Sequence, residues 1–177
     1  LKSRWSYSEA KAIDEILAYT YWREKGLETV IVRLFNTVGP RQTGSYGMVV
    51  PRFVGQALRN QPLTIFGDGT QTRCFCHVTD VVEGLVALSE HPEAVGKVFN
   101  LGGGKEISIG DLAELIIRLV GSESELEYLP YATAYEEGFE DMARRVPNTD
   151  RAKQLIGFEP SIELADIIRS AIEDQKS

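Results

Sequence analysis

The sequence predicts an α/β protein: the C-terminal part of a doubly wound parallel sheet, joined to a small mixed α/β lobe. Helical patterns alternate with short apolar runs, and no internal repeat interrupts this order. The run TVIVRLF at residues 29–35 is almost continuously apolar and β-branched, a pattern typical of strands buried on both faces of a parallel sheet. No strand pattern precedes it. We therefore expect its partner strands to lie upstream of Leu1.

The first element is an amphipathic helix at residues 7–25. Ile13, Leu17 and Tyr21 recur on one face with helical spacing, and Gly26 ends the pattern. The buried strand follows directly, so this part of the chain has the order of half a βαβ unit.

The middle of the chain predicts a helix, two strands and a second helix. After the Gly- and Pro-rich loop at residues 36–47, Pro51 lies near the first position of a helix, where its missing N–H is tolerated. LTIF and TRCFC are expected to form short strands around residues 67–69 (GDG), which favour a chain reversal. The next helix is expected to begin at Asp80, with Glu83 as its capping partner.

The last part of the chain predicts the mixed lobe. KVFNLGGG indicates a strand that runs into a glycine loop, and Ser108 with Asp111 indicates a helix that ends at Gly121. The glycine loop lacks the Gly-Lys-Ser/Thr ending of a phosphate loop, so we interpret it as a tight connection between strand and helix. Beyond it we expect a strand at residues 126–129, a polar loop through Arg145 containing the solvated acidic run YEEGFED, and helices near residues 150–156 and 162–172.

Charge and composition exclude several classes of protein. The net charge is -7 and the pI is near 5.0, which argues against a nucleic-acid partner. No apolar run reaches the roughly 18 residues of a membrane span, and no signal peptide is evident. Cys74 and Cys76 have no second pair of metal ligands in sequence, so core packing is expected and a metal is not. Together these features predict a cytoplasmic protein.

Tyr7 and Lys11 are the first candidates for chemistry. Their i, i+4 spacing places them on one helix face, where the ammonium can favour the ionised phenol and so allow it to accept a proton. The same spacing is common by chance, and an ordinary surface pair is the alternative.

Several motifs together give the pair more weight. YSEAK, RLFNTVGPR, VVPRF, LTIFGDGTQTRCFCHVTDVVEGL and VFNLGGG occur in this order. Their order and spacing resemble the extended short-chain dehydrogenase/reductases that act on nucleotide sugars. That group has a Rossmann-like fold and includes UDP-glucose 4-epimerases, dTDP-glucose 4,6-dehydratases and UDP-glucuronate decarboxylases. The resemblance runs from Tyr7 to IGFEP and the helix after it.

The resemblance implies a cofactor end and a nucleotide end. At the cofactor end, Tyr7 would be the catalytic base and Lys11 would hold the nicotinamide ribose of NAD. Phe35 and Asn36 would lie where the nicotinamide pocket meets the sugar diphosphate. The alternatives are that Phe35 belongs to the core and that Asn36 only forms a turn.

At the nucleotide end, the resemblance implies that Val50, Thr64 and Phe66 contact the nucleotide. Arg73 and Arg145 would bind the diphosphate, because a guanidinium makes paired, charge-assisted hydrogen bonds to it. A second arginine directly before Arg145 leaves that register open by one residue. For both arginines the alternative is a solvated surface charge.

The resemblance also implies a division of the chain. Residues 1–48 would be the remnant of an NAD-binding Rossmann-like domain, and residues 49–177 mostly a nucleotide-sugar-binding lobe, with residues 70–90 returning to the first part. The family's glycine-rich turn and its catalytic Ser or Thr would lie upstream. We therefore expect a C-terminal fragment that binds NAD weakly or not at all and is inactive alone, from a parent enzyme that is a homodimer.

For the parent, the sequence favours a UDP-sugar 4-epimerase that acts through a transient 4-keto sugar. UDP-glucuronate decarboxylase and NDP-sugar 4,6-dehydratase are the alternatives, because the upstream residues that separate these reactions are not in the chain. A nucleotide-sugar binding module without catalysis is the alternative from a different class.

Overall fold

The computed structural model describes residues 4–44, 48–133 and 142–177. The predicted acidic loop YEEGFED lies outside the described residues. The helices are α1 Arg4–Lys25, α2 Val49–Leu58, α3 Val78–Glu90, α4 Ile109–Val120, α5 Asp150–Ile156 and α6 Leu164–Lys176. The strands are β1 Ile31–Leu34, β2 Thr37–Val38, β3 Leu63–Phe66, β4 Thr72–Cys74, β5 Cys76–His77, β6 Val98–Leu101, β7 Glu106–Ser108, β8 Leu126–Leu129 and β9 Arg144–Arg145.

The strand pairing confirms the α/β class. β1 pairs in parallel with β6, β2 with β5, and β3 with β8. A separate three-stranded sheet has the order β7-β4-β9, in which β7 is antiparallel to β4. The predicted turn around Gly67 to Gly69 is present, but the strands on either side of it, β3 and β4, do not pair with each other and belong to different sheets. Both glycines have positive φ, and the chain leaves the turn toward new partners.

β1 is less buried than its sequence predicts. Ile31 is buried, but Arg33 and Leu34 are exposed. β6 covers one edge of β1, and among the described residues no strand pairs with the other edge. Arg33 donates to both carboxylate oxygens of Glu15, at 2.7 and 2.6 Å, and so ties β1 to α1.

The core consists of two clusters of buried apolar side chains. The first joins α2, β3, α4 and α6 around Phe53, Leu63 and Ile168. The second joins α3, α5 and β6 around Phe99 and Phe158. These side chains follow the periodicity of their helices and strands, which is why most elements could be predicted from sequence.

The helix starts show one prediction confirmed and one corrected. The Ser108 hydroxyl accepts from the Asp111 N–H at 3.0 Å, and Gly121 ends α4 with a φ of 72°. α3, in contrast, begins two residues earlier than predicted, because the His77 ring nitrogen Nδ1 caps the Thr79 N–H at 3.2 Å. Asp80 is therefore not the cap.

Asp80 has a different role in packing. It is 7% exposed, and its carboxylate accepts from the backbone N–H groups of Ser161 and Ile162 at 3.3 and 3.4 Å. A buried carboxylate is stable only with such partners. Asp80 therefore joins α3 to the segment that leads into α6.

Three short strands were missed by sequence reasoning. β2 lies in the predicted loop at residues 36–47, β7 inside the predicted direct connection between the glycine loop and α4, and β9 in the predicted polar loop. Each has three residues or fewer and is stabilised by pairing, β2 with β5 and the other two with β4, so none carries a periodic signal of its own. In the part of the chain that the structure describes, every helix is too short or too polar to span a bilayer.

Candidate functional site

An open pocket of about 600 Å³ lies where α1, the end of β1, α2, β3, β4 and β9 meet. Six of the nine residues predicted for the site line this pocket: Tyr7, Asn36, Val50, Phe66, Arg73 and Arg145. Lys11, Phe35 and Thr64, which are also described, do not line it. These six residues therefore lie around one pocket, although they span most of the sequence.

Tyr7 and Lys11 lie on one exposed face of α1. Tyr7 is 71% exposed, and the Lys11 ammonium is 6.0 Å from the centre of its ring. Lys11 donates to the Asp14 carboxylate at 2.8 Å, and this hydrogen bond and charge raise the pKa of Lys11. The lysine thus stays charged beside the tyrosine over the physiological pH range.

Asn36 connects β1 to the strands on the other side of the pocket. Its side-chain N–H donates to the Cys74 carbonyl at 2.8 Å, and its own carbonyl accepts from the Cys76 N–H at 3.2 Å. Its φ of 25° lies in the left-handed region, which Asn tolerates better than most residues. Asn36 is therefore a turn former that also lines the pocket.

Strand alternation resolves the register of the two consecutive arginines. Arg145 is half-buried and lines the pocket, whereas Arg144 is exposed and pairs with the Glu106 carboxylate at 2.6 Å. That ion pair lowers the pKa of Glu106 and raises the pKa of Arg144. Successive residues of a strand point to opposite faces, so pairing of β9 with β4 assigns Arg145 to the pocket.

Arg73 extends along the same wall. Its guanidinium Nη1 donates to the carbonyls of Thr72 and Met142, at 2.7 and 2.8 Å. These bonds hold the side chain against the backbone that leads into β9. The pocket therefore contains two guanidinium groups at fixed positions on adjacent, paired strands.

Phe66 lines the pocket together with Arg52, which sequence reasoning missed. The Arg52 guanidinium lies over the Phe66 ring, with 4.9 Å from its carbon to the ring centre. It also donates to the Thr64 carbonyl at 3.0 Å. Thr64 itself lies behind the wall, where its hydroxyl accepts from the Gln56 amide at 2.7 Å. Arg52 lies in the motif VVPRF, which could have drawn attention to it. Its place in the pocket, however, depends on its contacts with Phe66 and Thr64 of β3.

Two further polar residues on the pocket wall were missed. The Thr37 hydroxyl and the Gln42 side-chain oxygen are buried and, within the described residues, have no hydrogen-bond partner. The Gln42 amide N–H donates to the Thr37 carbonyl at 3.0 Å, which fixes the two side by side. Buried polar atoms without partners are rare because they are costly, and both of these belong to residues that line the pocket. No sequence motif singled them out.

The cysteines are part of the core, as predicted. Cys74 and Cys76 are both buried and unpaired with each other. Burial raises the pKa of Cys76 to about 12, and the nearby Asp80 charge adds to the effect. Across the described ranges, no three His, Cys, Asp or Glu side chains are grouped as metal ligands would be.

Comparison with known proteins identifies the family. Residues 1–102, more than half of the chain, match the model of the NAD dependent epimerase/dehydratase family. The chain belongs to this family. It is 40% identical over 166 residues to UDP-glucuronic acid decarboxylase 1 of Xenopus tropicalis, covering 94% of this chain and 38% of that protein. It is 36% identical over 173 residues to the UDP-N-acetyl-alpha-D-glucosaminuronate decarboxylase of Bacillus cytotoxicus, covering 97% of this chain and 53% of that protein.

A solved UDP-sugar epimerase matches the fold. The UDP-glucuronic acid 4-epimerase of Bacillus cereus, in complex with UDP-glucuronic acid and NAD, superposes with a TM-score of 0.82 and 30% identity. The match covers 92% of this chain and 49% of that chain. The chain thus spans about half the length of the solved relative and between 38% and 53% of the two curated ones.

Members of the NAD dependent epimerase/dehydratase family use NAD, and the described residues fit one end of it. Tyr7 and Lys11 present a phenol and an ammonium on one exposed face, a donor set suited to a ribose. The glycine loop after β6 does not fit the pyrophosphate, because its backbone is packed against protein: an added Cβ at Gly102 would be 2.6 Å from the Phe35 Cβ. The next helix, α4, starts only after β7, with its first turn capped by Ser108.

Proposed function

We propose that this chain supplies the sugar-nucleotide pocket and the proton-transferring tyrosine of an NAD-dependent UDP-sugar 4-epimerase. The observation that carries the proposal is the convergence of Tyr7, Arg73 and Arg145 on one pocket. A phenol next to a charged lysine suits proton transfer, and two guanidinium groups suit a diphosphate. Ligands that carry both a reactive hydroxyl and a diphosphate include the nucleotide sugars.

The diphosphate and the base would occupy opposite ends of the pocket. Arg73 and Arg145 would bind the phosphates with charge-assisted hydrogen bonds. Phe66 would contact the base with its ring, which is also in contact with the Arg52 guanidinium. Val50, buried at the start of α2, would bound the nucleotide through its backbone.

Tyr7 would carry out the proton transfer. Its phenolate would accept the proton of the sugar C4 hydroxyl as the C4–H bond breaks, leaving a 4-keto sugar. Lys11 would hold the nicotinamide ribose of NAD, which would supply reversible acceptance of the C4 hydride. Tyr7 would then give the proton back to the C4 oxygen, so that return of the hydride to the other face of C4 yields the 4-epimer.

Decarboxylation of UDP-glucuronate is the second candidate. The two curated relatives described above carry decarboxylase names at 36% and 40% identity. The first step would be the same, because oxidation at C4 also prepares loss of a C6 carboxylate as carbon dioxide. Tyr7 and the two guanidinium groups serve either outcome, and the difference would lie in residues beyond those that line this pocket.

The reaction can be tested by product analysis. The chain, together with any native sequence that precedes it, is incubated with NAD+ and either UDP-glucose or UDP-glucuronate, and products are identified by NMR. Formation of the 4-epimer supports the proposal, whereas release of carbon dioxide and a UDP-pentose establishes the second candidate. A dehydrated 4-keto-6-deoxy product would identify a dehydratase instead.

Measurement of UDP binding tests whether the chain has the assigned nucleotide pocket. Calorimetry with UDP on the 177-residue chain should show binding that Arg73→Ala weakens and Arg118→Ala, on the exposed face of α4, does not. UDP binding without turnover of any nucleotide sugar would identify a binding module. Equal affinity in both variants would contradict the assigned pocket.

We also propose a homodimer in the cytoplasm. The exposed apolar side chains of α1, among them Ile13, Ile16 and Leu17 at 57%, 64% and 50% exposure, support association through that helix. Light scattering of the purified protein tests this part, and a monomer at micromolar concentration would contradict it.

A further inference from the structure

A tight turn in the pocket wall adopts a conformation that its sequence disfavours. In the turn from Gly39 to Gln42, the Gln42 N–H donates to the Gly39 carbonyl at 3.3 Å. Pro40 occupies the second position, and Arg41 at the third has a φ of 66°. Proline at the second position and positive φ at the third are the pattern of a type II turn, in which the third residue is normally Gly or Asn. Arg41 therefore needs a compensating interaction.

Asp174, in the last turn of α6, supplies that interaction. Its carboxylate accepts the Arg41 backbone N–H at 2.7 Å, across 133 positions of sequence. The type I alternative would turn the Pro40–Arg41 peptide over by about 180° and direct this N–H away from the carboxylate. The hydrogen bond to Asp174 therefore favours the type II turn specifically.

The same turn of α6 also binds the first turn of α2. The Gln175 side-chain N–H donates to the Pro51 carbonyl at 2.9 Å. Gly39 packs against the Val78 side chain so closely that a Cβ could not be added. Consecutive residues of α6 thus hold the turn at Arg41 and the start of α2, while Gly39 is held by its contact with Val78.

Gln42 connects this arrangement to the pocket. It is the last residue of the turn, it lines the pocket, and its side-chain N–H donates to the Thr37 carbonyl at 3.0 Å. Its backbone N–H closes the turn on the Gly39 carbonyl. Loosening the turn would therefore free Gln42 to leave the pocket wall.

We propose that Asp174 is a positioning residue for the nucleotide-sugar pocket: by accepting the Arg41 N–H it holds the turn from Gly39 to Gln42 against α6, and so keeps Gln42 in the pocket wall. This rests on the proposed function for the identity of the ligand. The position of the turn does not depend on that identity, and it can be measured without ligand.

The first experiment measures the turn itself. In ¹⁵N-labelled protein, Asp174→Ala should accelerate hydrogen exchange of the Arg41 amide about tenfold, because a charge-assisted hydrogen bond is lost. The Gln42 side-chain amide resonances should shift. Asp174→Asn, which keeps an acceptor oxygen, should resemble the wild type. Asp166→Ala on the exposed face of the same helix is the control and should change neither. Unchanged Arg41 exchange in Asp174→Ala would overturn the proposal.

The second experiment measures the consequence with UDP-glucose. Asp174→Ala should weaken UDP-glucose binding about fivefold if the competent turn falls to about a fifth of the population. Arg41→Gly added to Asp174→Ala should restore affinity, because Gly adopts positive φ without strain. A double variant as weak as Asp174→Ala would overturn the proposal, since loss of α6 packing alone would not be rescued at Arg41. If the wild type binds no UDP-glucose, the proposed function fails, and the exchange experiment alone decides the role of Asp174.

Discussion

The Arg145 guanidinium lies over the face of the Phe35 ring, with 5.0 Å between its carbon and the ring centre. The sequence assigned Phe35 to the cofactor end and Arg145 to the nucleotide end, and their contact joins the two ends of the site. A cation over an aromatic face is attracted by its quadrupole, so Phe35 orients the guanidinium although it does not line the pocket itself.

This contact leads to a prediction about two adjacent arginines. Arg145→Ala should weaken UDP binding about tenfold or more, because a charge-assisted hydrogen bond to phosphate is lost. Arg144→Ala is the matched control: it removes the exposed pair with Glu106 and should leave UDP affinity within about twofold. Calorimetric titration of both variants checks this, and equal losses would contradict the register assigned to β9.

A second prediction concerns adjacent glycines in the loop after β6. Gly103→Ala should lower the free energy of unfolding by about 1–3 kcal/mol, because the added Cβ would overlap the Phe75 carbonyl oxygen. Gly104→Ala meets no atom within 4 Å and should be nearly neutral. Urea denaturation of the two variants measures the difference. Equal stability would mean that the loop is not held by packing.

A third prediction concerns Cys76 and alkaline pH. Burial raises the pKa of the Cys76 thiol from 9.0 to about 12, so the folded protein keeps a proton that the unfolded chain releases. The stabilising contribution is therefore complete below pH 9 and lost as the pH rises toward 12, at up to about 1.4 kcal/mol per pH unit. Urea denaturation between pH 8 and roughly 10.5 should show a steeper loss in the wild type than in Cys76→Ala. Parallel curves would contradict the assignment.

A fourth prediction compares the contributions to stability of Asp80 and of Glu83, its expected capping partner. Asp80→Ala should destabilise the fold by about 1–3 kcal/mol, because the N–H groups of Ser161 and Ile162 would lose their acceptor. Glu83→Ala, on the exposed side of α3, should cost less than about 0.5 kcal/mol. Thermal unfolding of both variants checks this. A larger effect at Glu83 would restore the capping role that the sequence suggested.

The sequence predicted what local signals can carry. Helix α4 was found because Ser108, Asp111 and Gly121 mark its ends and its apolar residues recur with helical period. The pairing of β3 was not predictable in this way, because its partner β8 lies about sixty residues further along the chain and leaves no mark near β3.

The same limit applied to the site. The six predicted residues that line the pocket could be identified from motifs. Arg52, Thr37 and Gln42 could not, because their positions in the pocket depend on tertiary contacts. Asp174 is the extreme case, since its partner Arg41 lies 133 residues away. The choice between Arg144 and Arg145 likewise depended on β9, a strand of two residues that exists only through pairing.

Phe75 and Cys76 are neighbours in the chain, yet their side chains enter different core clusters. One peptide bond therefore joins the two clusters, so unfolding of either cluster would displace a residue of the other. The hydrogen bonds from Ser161 and Ile162 to Asp80 make a second such link, since Ile162 packs against the first cluster and Asp80 lies on a helix of the second. The two halves of the molecule should consequently melt together, as one cooperative unit and not as separate domains.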